Sequence, residues 1–293
     1  MAINRRKASS SEVASQKKIS GHIQETDYAQ LISADTLSGT QKGDVRDQKG
    51  RLHSVKSGKK WQIFLYRPER IKSCTYLNVL LPCLDVFPKN YSTYEKDRVR
   101  CIEYKEKYVK DHGRSKAKLL KNEDVIHELG PNSYVTSKFE LSTKTSLVCS
   151  DLKDKVFLRN FLDESIFNSA EVSYLVVKDS TYLNDNFFKI FDRNDVLDVL
   201  VEKLTPEVSK AGHVPEDFNV EGQKTLLCYK NKNGKNKNIV EIEVRNDGPV
   251  HYRELRFNMY SRDALLLLLE SDLRKVFKQI KQNVFAYGAA VNF

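Results

Sequence analysis

The sequence has no apolar run long enough to cross a bilayer. Its longest, residues 264–269, falls far short of the roughly 20 residues a spanning helix requires. No apolar stretch follows Arg5, Arg6 and Lys7, so the N-terminus does not read as a secretory signal. Cysteine is sparse. Cys74, Cys83, Cys101, Cys149 and Cys228 form no CxxC pair, and none stands near a histidine at zinc-finger spacing. An odd, scattered set of this kind predicts reduced thiols in a cytoplasm and no structural zinc site. The six histidines are also scattered singly. The GxxxxGKS/T loop, the GxGxxG fingerprint, the GxSxG elbow and the HExxH helix are all absent, so ATP-driven, nicotinamide and serine-hydrolase chemistry lose support.

What is present is charge, unevenly spread. The 293 residues carry 49 Lys+Arg against 39 Asp+Glu, a formal +10. Residues 1–72 alone hold fifteen basic and seven acidic residues, so +8 of the total sits in the first quarter of the chain. Lysine and arginine displace counterions from phosphates, and a local excess points to a polyanionic partner. With 40% hydrophobic and 30% charged residues, the composition is that of a soluble globular protein with ample chain for a core.

Residues 1–20, polar and basic, predict a flexible arm. Ile23, Tyr28, Leu31 and Ile32 recur at helical spacing, which sets Glu25 on or beside a helix with one apolar face. Turn-rich residues 38–43 lead to Asp44-Val45, a further turn at 47–50 and a short strand over 52–56. Ser57-Gly58 is then expected to cap a helix that buries Trp61, Phe64 and Leu65. Further along, helices are expected over 92–110, 115–129, 151–167 and 194–204, and a buried strand over 172–177. Residues 209–222 read as a loop. Strands are expected over 225–229 and 239–245, joined by a Lys- and Asn-rich hairpin centred on Asn233-Gly234, then over 252–260, with a last helix from Arg262.

The chemistry concentrates at Asp44 and Lys56. They stand twelve positions apart with turn residues between, so two adjacent strands can bring both to one end of a sheet. A carboxylate binds a hard cation such as Mg2+, which prefers oxygen ligands and keeps most of its waters. A lysine holds an attacking water and balances charge on a phosphate, and a backbone carbonyl beside it supplies another oxygen. Together these are the parts of metal-assisted phosphodiester hydrolysis.

The segment KGDV…HSVKSGKKWQIFLY resembles the active-site segment of the PD-(D/E)xK nuclease superfamily, in particular type II restriction endonucleases, over roughly residues 21–70. The resemblance implies Asp44 as the metal-binding aspartate, Lys56 as the catalytic lysine, Glu25 as the helix glutamate and the Val55 carbonyl as a further metal ligand. Gln62 and Tyr66 match the QxxxY pattern that some branches carry on the following helix. Two positions depart from the pattern. Gly43 replaces the motif's proline, and Ser54 replaces the second acidic residue, leaving Glu25, or failing that Glu69, to provide the missing carboxylate. Glu241 and Glu243 form an ExE that ranks as a second, weaker site.

The expected fold is α/β: a mixed central β-sheet flanked by helices, with a restriction-endonuclease-like core and large helical and β-hairpin elaborations. One nuclease domain is expected over 21–293, its catalytic core at about 21–205 and its DNA-recognition part at 206–293. The expected function is Mg2+-dependent cleavage of double-stranded DNA at a specific sequence. A non-catalytic DNA-binding protein and a repair or modification-dependent nuclease are the alternatives. Lys59, Lys60, Lys232, Lys235, Arg253 and Arg256 are the candidate DNA contacts. A palindromic target would suit a homodimer; no membrane and no nucleotide cofactor are expected.

Overall fold

The computed structural model describes residues 11–37, 42–117, 122–130, 133–178, 186–210, 222–231 and 233–292. The chain begins α1 (Ser11–Ile32), β1 (Asp35–Thr36), β2 (Val45–Arg46), β3 (Leu52–Ser57) and β4 (Lys60–Tyr66). A helical stretch follows: α2 (Pro68–Lys72), α3 (Leu81–Asp85), α4 (Tyr91–His112), α5 (Arg114–Ala117), α6 (Asn122–Leu129), α7 (Ser133–Asp151) and α8 (Lys155–Phe167). Then come β5 (Val172–Lys178), β6 (Phe188–Asp192), α9 (Arg193–Lys203), β7 (Thr205–Val208), β8 (Lys224–Lys230) and β9 (Asn236–Arg245). The chain closes with β10 (Glu254–Tyr260), α10 (Ser261–Glu270), β11 (Phe277–Lys281) and β12 (Val284–Tyr287). Helices and two sheets, one of them mixed, make this an α/β protein. No helix among the described residues is long and apolar enough to cross a membrane, and none of the five cysteines is in a disulfide.

These elements form two compact units that alternate along the chain. The first takes residues 1–61, 167–199 and 264–293; the second takes 62–166 and 200–263. Both units draw on segments from either side of residue 205.

The first unit is built on a seven-stranded sheet in the order β1-β2-β3-β5-β6-β12-β11. β3 runs parallel to β5, and β12 parallel to β6, while the other pairs are antiparallel. The β-branched run of β5 is buried on both faces, as a central strand requires. Tyr28, Ala29 and Ile32 of α1 share one helix face and pack on Val45, Val55 and Val176 of the sheet. Gln48, in the turn before β3, reaches the Ser33 carbonyl, while Asp27 pairs with Lys178, level with Ser57. The helix therefore runs antiparallel to β3, with its N-terminal part over the end of the strand that carries Lys56.

The second unit holds a five-stranded sheet, β4-β10-β9-β8-β7. The β8–β9 hairpin has the expected Asn-Gly tip: Asn231 Oδ1 accepts from the Asn233 and Lys235 amides, each at 3.0 Å, and Gly234 takes φ +70. Glu164 of α8 is buried and accepts three backbone amides, those of Thr75, Tyr76 and Leu77, each at 2.7 Å. Those amides open a 3-10 turn at Leu77–Leu80, whose first N–H groups have no partner of their own within the turn.

Three expectations change. Residues 60–66 form a strand, not a helix: Trp61 and Ile63 are buried while Lys60 and Gln62 are exposed, a period of two in a β-branched and aromatic run. Gly58, at φ +79, turns the chain from β3 into β4 where a helix cap was expected. Residues 11–20 of the expected arm lie within α1, and residues 1–10 are outside the described set. The expected loop at 209–222 also falls largely outside it.

Replacing Glu164 by Ala removes the acceptor of three amides, that of buried Leu77 among them, and a loss of about 2 kcal/mol in unfolding free energy is expected. Glu164→Gln, whose carbonyl still accepts, should recover a good part of it. Urea denaturation of the three proteins measures both.

Candidate active site

β2 is only two residues long, and this brevity makes the site. Its ladder with β3 pairs Val45 with His53 and Arg46 with Leu52, and the Asp44 amide donates to the His53 carbonyl at 2.8 Å. Two residues further, the Val55 N–H points off the same edge of β3 with no β2 residue opposite. Asp44 fills the gap with its side chain, its Oδ2 accepting the Val55 amide at 2.7 Å. Ser54 Oγ, at 3.3 Å, and Lys56 Nζ, at 3.4 Å, converge on the same oxygen. Oδ1 of Asp44 accepts nothing among the described residues. The Asp44 and Lys56 side chains are 19% and 20% exposed, so both are sheltered and reachable.

Strand alternation sorts the neighbours. His53 and Val55 turn toward α1, while Ser54 and Lys56 turn to the opposite face of the sheet. The Val55 carbonyl leaves the strand on the same edge as its amide, toward Asp44. Gly43 is fixed by packing: a Cβ there would come within 2.9 Å of Leu52 Cβ, so the motif's proline does not fit without a shift of that neighbour.

The donor set suits Mg2+. A free carboxylate oxygen beside a backbone carbonyl offers the hard oxygen ligands that this ion takes while it keeps most of its waters. Among the described residues there is no cluster of three or more carboxylate, histidine or cysteine side chains, so any ion here would rely on few protein ligands. Glu25 lies on the helix turn above the Lys56 end of β3, but its carboxylate pairs with His22 Nδ1 at 2.9 Å. Among the described residues it touches neither Asp44 nor Lys56.

Comparison with protein-family models, curated proteins and solved structures finds no match for this chain.

The remaining candidates are dispersed. Lys59 and Lys60 are exposed at the β3–β4 turn. Gln62 is exposed on β4, and Glu69 is exposed in the first turn of α2, both within the second unit. Since residues 60–66 form a strand, Gln62 and Tyr66 are not a helical pair. Lys235 is exposed at the hairpin tip, and Lys232 lies outside the described residues. Arg253 takes φ +55 before β10 and is engaged by the Leu84 carbonyl and the Asp85 carboxylate. Arg256 pairs with Glu243, which also holds Lys224 at 2.7 Å, so this ExE forms part of a charge-paired ladder across β8, β9 and β10.

Sequence reasoning missed the buried network behind the site. Asp47 Oδ1 accepts the amides of Lys49 and Arg51, each at 2.9 Å, and so closes the β2–β3 turn. Its Oδ2 takes Arg51 Nε at 2.7 Å and meets His53 Nε2 at 3.4 Å. A carboxylate can only accept, so Nε2 carries the proton and Nδ1 accepts from the Tyr28 hydroxyl at 2.9 Å. Arg51 continues to the Tyr174 hydroxyl at 2.8 Å. The turn residues DQKGR signalled Asp47 as a turn former; its second role toward His53 has no local signature.

Burial pushes the His53 imidazole down to about 4, against the pull of Asp47. Burial also works to raise the Asp47 carboxyl, but hydrogen bonds from Arg51 and His53 hold it below its ordinary value. In both cases the folded state binds fewer protons than the unfolded chain. The His53 contribution is complete above pH 6.5 and fades as pH drops toward 4, a loss of about 3 kcal/mol. Urea midpoints across that window should fall for the native protein and fall less for His53→Gln.

Proposed function

We propose that this chain is a Mg2+-dependent endonuclease of the PD-(D/E)xK type that hydrolyses phosphodiester bonds of double-stranded DNA, acting as a type II restriction enzyme. One observation carries the reading: Asp44 is tied through Oδ2 to Ser54, Val55 and Lys56 and keeps Oδ1 open among the described residues, on the edge of β3 to which the Val55 carbonyl also turns. The order of elements supports it. A helix, three antiparallel strands and then β5 parallel to β3 are compatible with such a core, with the aspartate directly before the second strand and the lysine on the third.

Asp44 and the Val55 carbonyl would hold the cation, which supplies Lewis-acid stabilisation of charge developing on the phosphate. The chain's own groups do the rest. Ser54, buried beneath the carboxylate, fixes its rotamer, so the open oxygen is oriented before substrate arrives. Lys56 extends from the same face of β3 to orient a water for in-line attack and to offset the phosphate charge. Glu25 takes part only if its carboxylate leaves His22. Sequence recognition belongs to the second unit in this reading, with the exposed Lys235 tip of the β8–β9 hairpin as a phosphate contact.

Supercoiled plasmid and phage DNA incubated with Mg2+ should yield discrete fragments that EDTA abolishes. Asp44→Ala and Lys56→Ala should each lower the cleavage rate about 10²–10⁴-fold while folding is retained. Tight binding without cleavage across several DNAs would identify a non-catalytic DNA-binding protein instead. Cleavage confined to methylated substrate would identify a modification-dependent nuclease at the same site.

A further inference from the structure

Among the described residues, the seven-stranded sheet has one substantial free edge, β11. Lysines on an edge strand ordinarily serve to prevent self-pairing. This edge carries more than that. Phe277 is 60% exposed and Val276 52%, apolar side chains that a guarded edge would exclude. Around them, Arg274, Lys278 and Lys281 have no ion-pair partner among the described residues, whereas Lys275 is neutralised by Asp272 at 2.7 Å. The backbone adds donors. The Val276 carbonyl accepts from Gly288 on the β12 side, so the amides of Phe277 and Gln279 point outward, away from the sheet.

The edge is also in register with the candidate active site. Ser54 pairs with Leu175, Leu175 with Phe191, Phe191 with Tyr287 and Tyr287 with Phe277. This single cross-strand row puts Phe277 on the Ser54–Lys56 face of the sheet. Four strand spacings separate the two ends, about 19 Å. Stacked rings hold the far end in place, with Phe191 on Tyr287 at 5.2 Å and Tyr287 on Phe277 at 6.1 Å.

We propose that the β11 edge is a DNA-backbone contact, a second anchor held at a fixed distance from Asp44 and Lys56. Arg274, Lys278, Lys281 and the outward amides of Phe277 and Gln279 meet phosphates, and the ring of Phe277 lies against a sugar. The identity of the partner follows from the charge. Residues 272–278 hold three cations to one anion, with Lys281 beyond, which repels a second copy of this edge and attracts a polyanion. The assignment of that polyanion as DNA rests on the endonuclease reading above.

The test is binding of a fluorescein-labelled DNA duplex of about three helical turns, in EDTA, across a salt series. Arg274→Ser/Lys278→Ser/Lys281→Ser should make the slope of log K against log salt shallower by roughly 2 to 3, at about 0.9 for each phosphate no longer neutralised. Phe277→Ala should weaken binding several-fold and leave the slope unchanged. All four side chains are exposed, and matching urea midpoints would verify that the variants fold. An unchanged slope in the triple variant overturns the proposal, as does loss in that variant of a dimer seen by sedimentation of the native protein. The two readings fail separately. A shallower slope in a protein that never cuts DNA supports the edge and sinks the endonuclease; cleavage with an unaltered slope does the reverse.

Discussion

The hydrogen bond from the Val55 amide to Asp44 Oδ2 organises the rest of the site. A sheet edge normally satisfies its amides with another strand. Here the neighbouring strand begins only at Val45, opposite His53, and a carboxylate stands in for it opposite Val55. An amide left unpaired would cost on the order of 1–3 kcal/mol, so the aspartate is held by backbone chemistry and not only by its lysine. That bond uses one carboxylate oxygen and leaves the other without a partner among the described residues, on the strand edge to which the Val55 carbonyl also turns. The shortness of one strand thus fixes a carboxylate next to a cation.

A different logic governs the other face of the same strand. Alternation sends His53 and Val55 toward α1 while Ser54 and Lys56 face the opposite way. Behind the site, Tyr28, His53, Asp47, Arg51 and Tyr174 satisfy one another in a chain of hydrogen bonds that spans α1, the β2–β3 turn, β3 and β5. Four separate pieces of structure are locked by polar contacts whose geometry tolerates little drift. The face that carries Asp44 and Lys56 is therefore backed by a network of mutually satisfied polar groups.

The Asp44–Lys56 spacing and the turn at 47–50 were legible because they depend on local chemistry: turn formers between two short extended runs. The strand at Val172 and the Asn-Gly hairpin were legible for the same reason. Residues 60–66 mislead because Ser57-Gly58 resembles a helix start, and the apolar spacing of Trp61, Phe64 and Leu65 fits a helix as well as a strand; the buried Ile63 decides it. The pairing of β6 with β12 joins residues almost a hundred positions apart, and no local pattern announces it. The partner of Glu25 was equally hidden, since His22 competes for it one helical turn away. In the sequence Ser54 stands as a missing acid, and its place under the carboxylate becomes visible only with the strands in register.

The alternation of the two units along the chain also bears on how the protein comes to be folded. The chain leaves the first unit after residue 61, returns at 167, leaves again after 199 and returns at 264. During synthesis, β6 emerges well before β12, the strand that closes it, because residues 193–283 are made between them. Until then β6 presents an unpaired edge while the remainder of the second unit is produced. Pairings distant in sequence and a long-lived open edge both slow folding and invite association with other chains. A nascent chain of this design carries that open edge until β12 is made, and assembly of the sheet waits on the segment that pairs with β6.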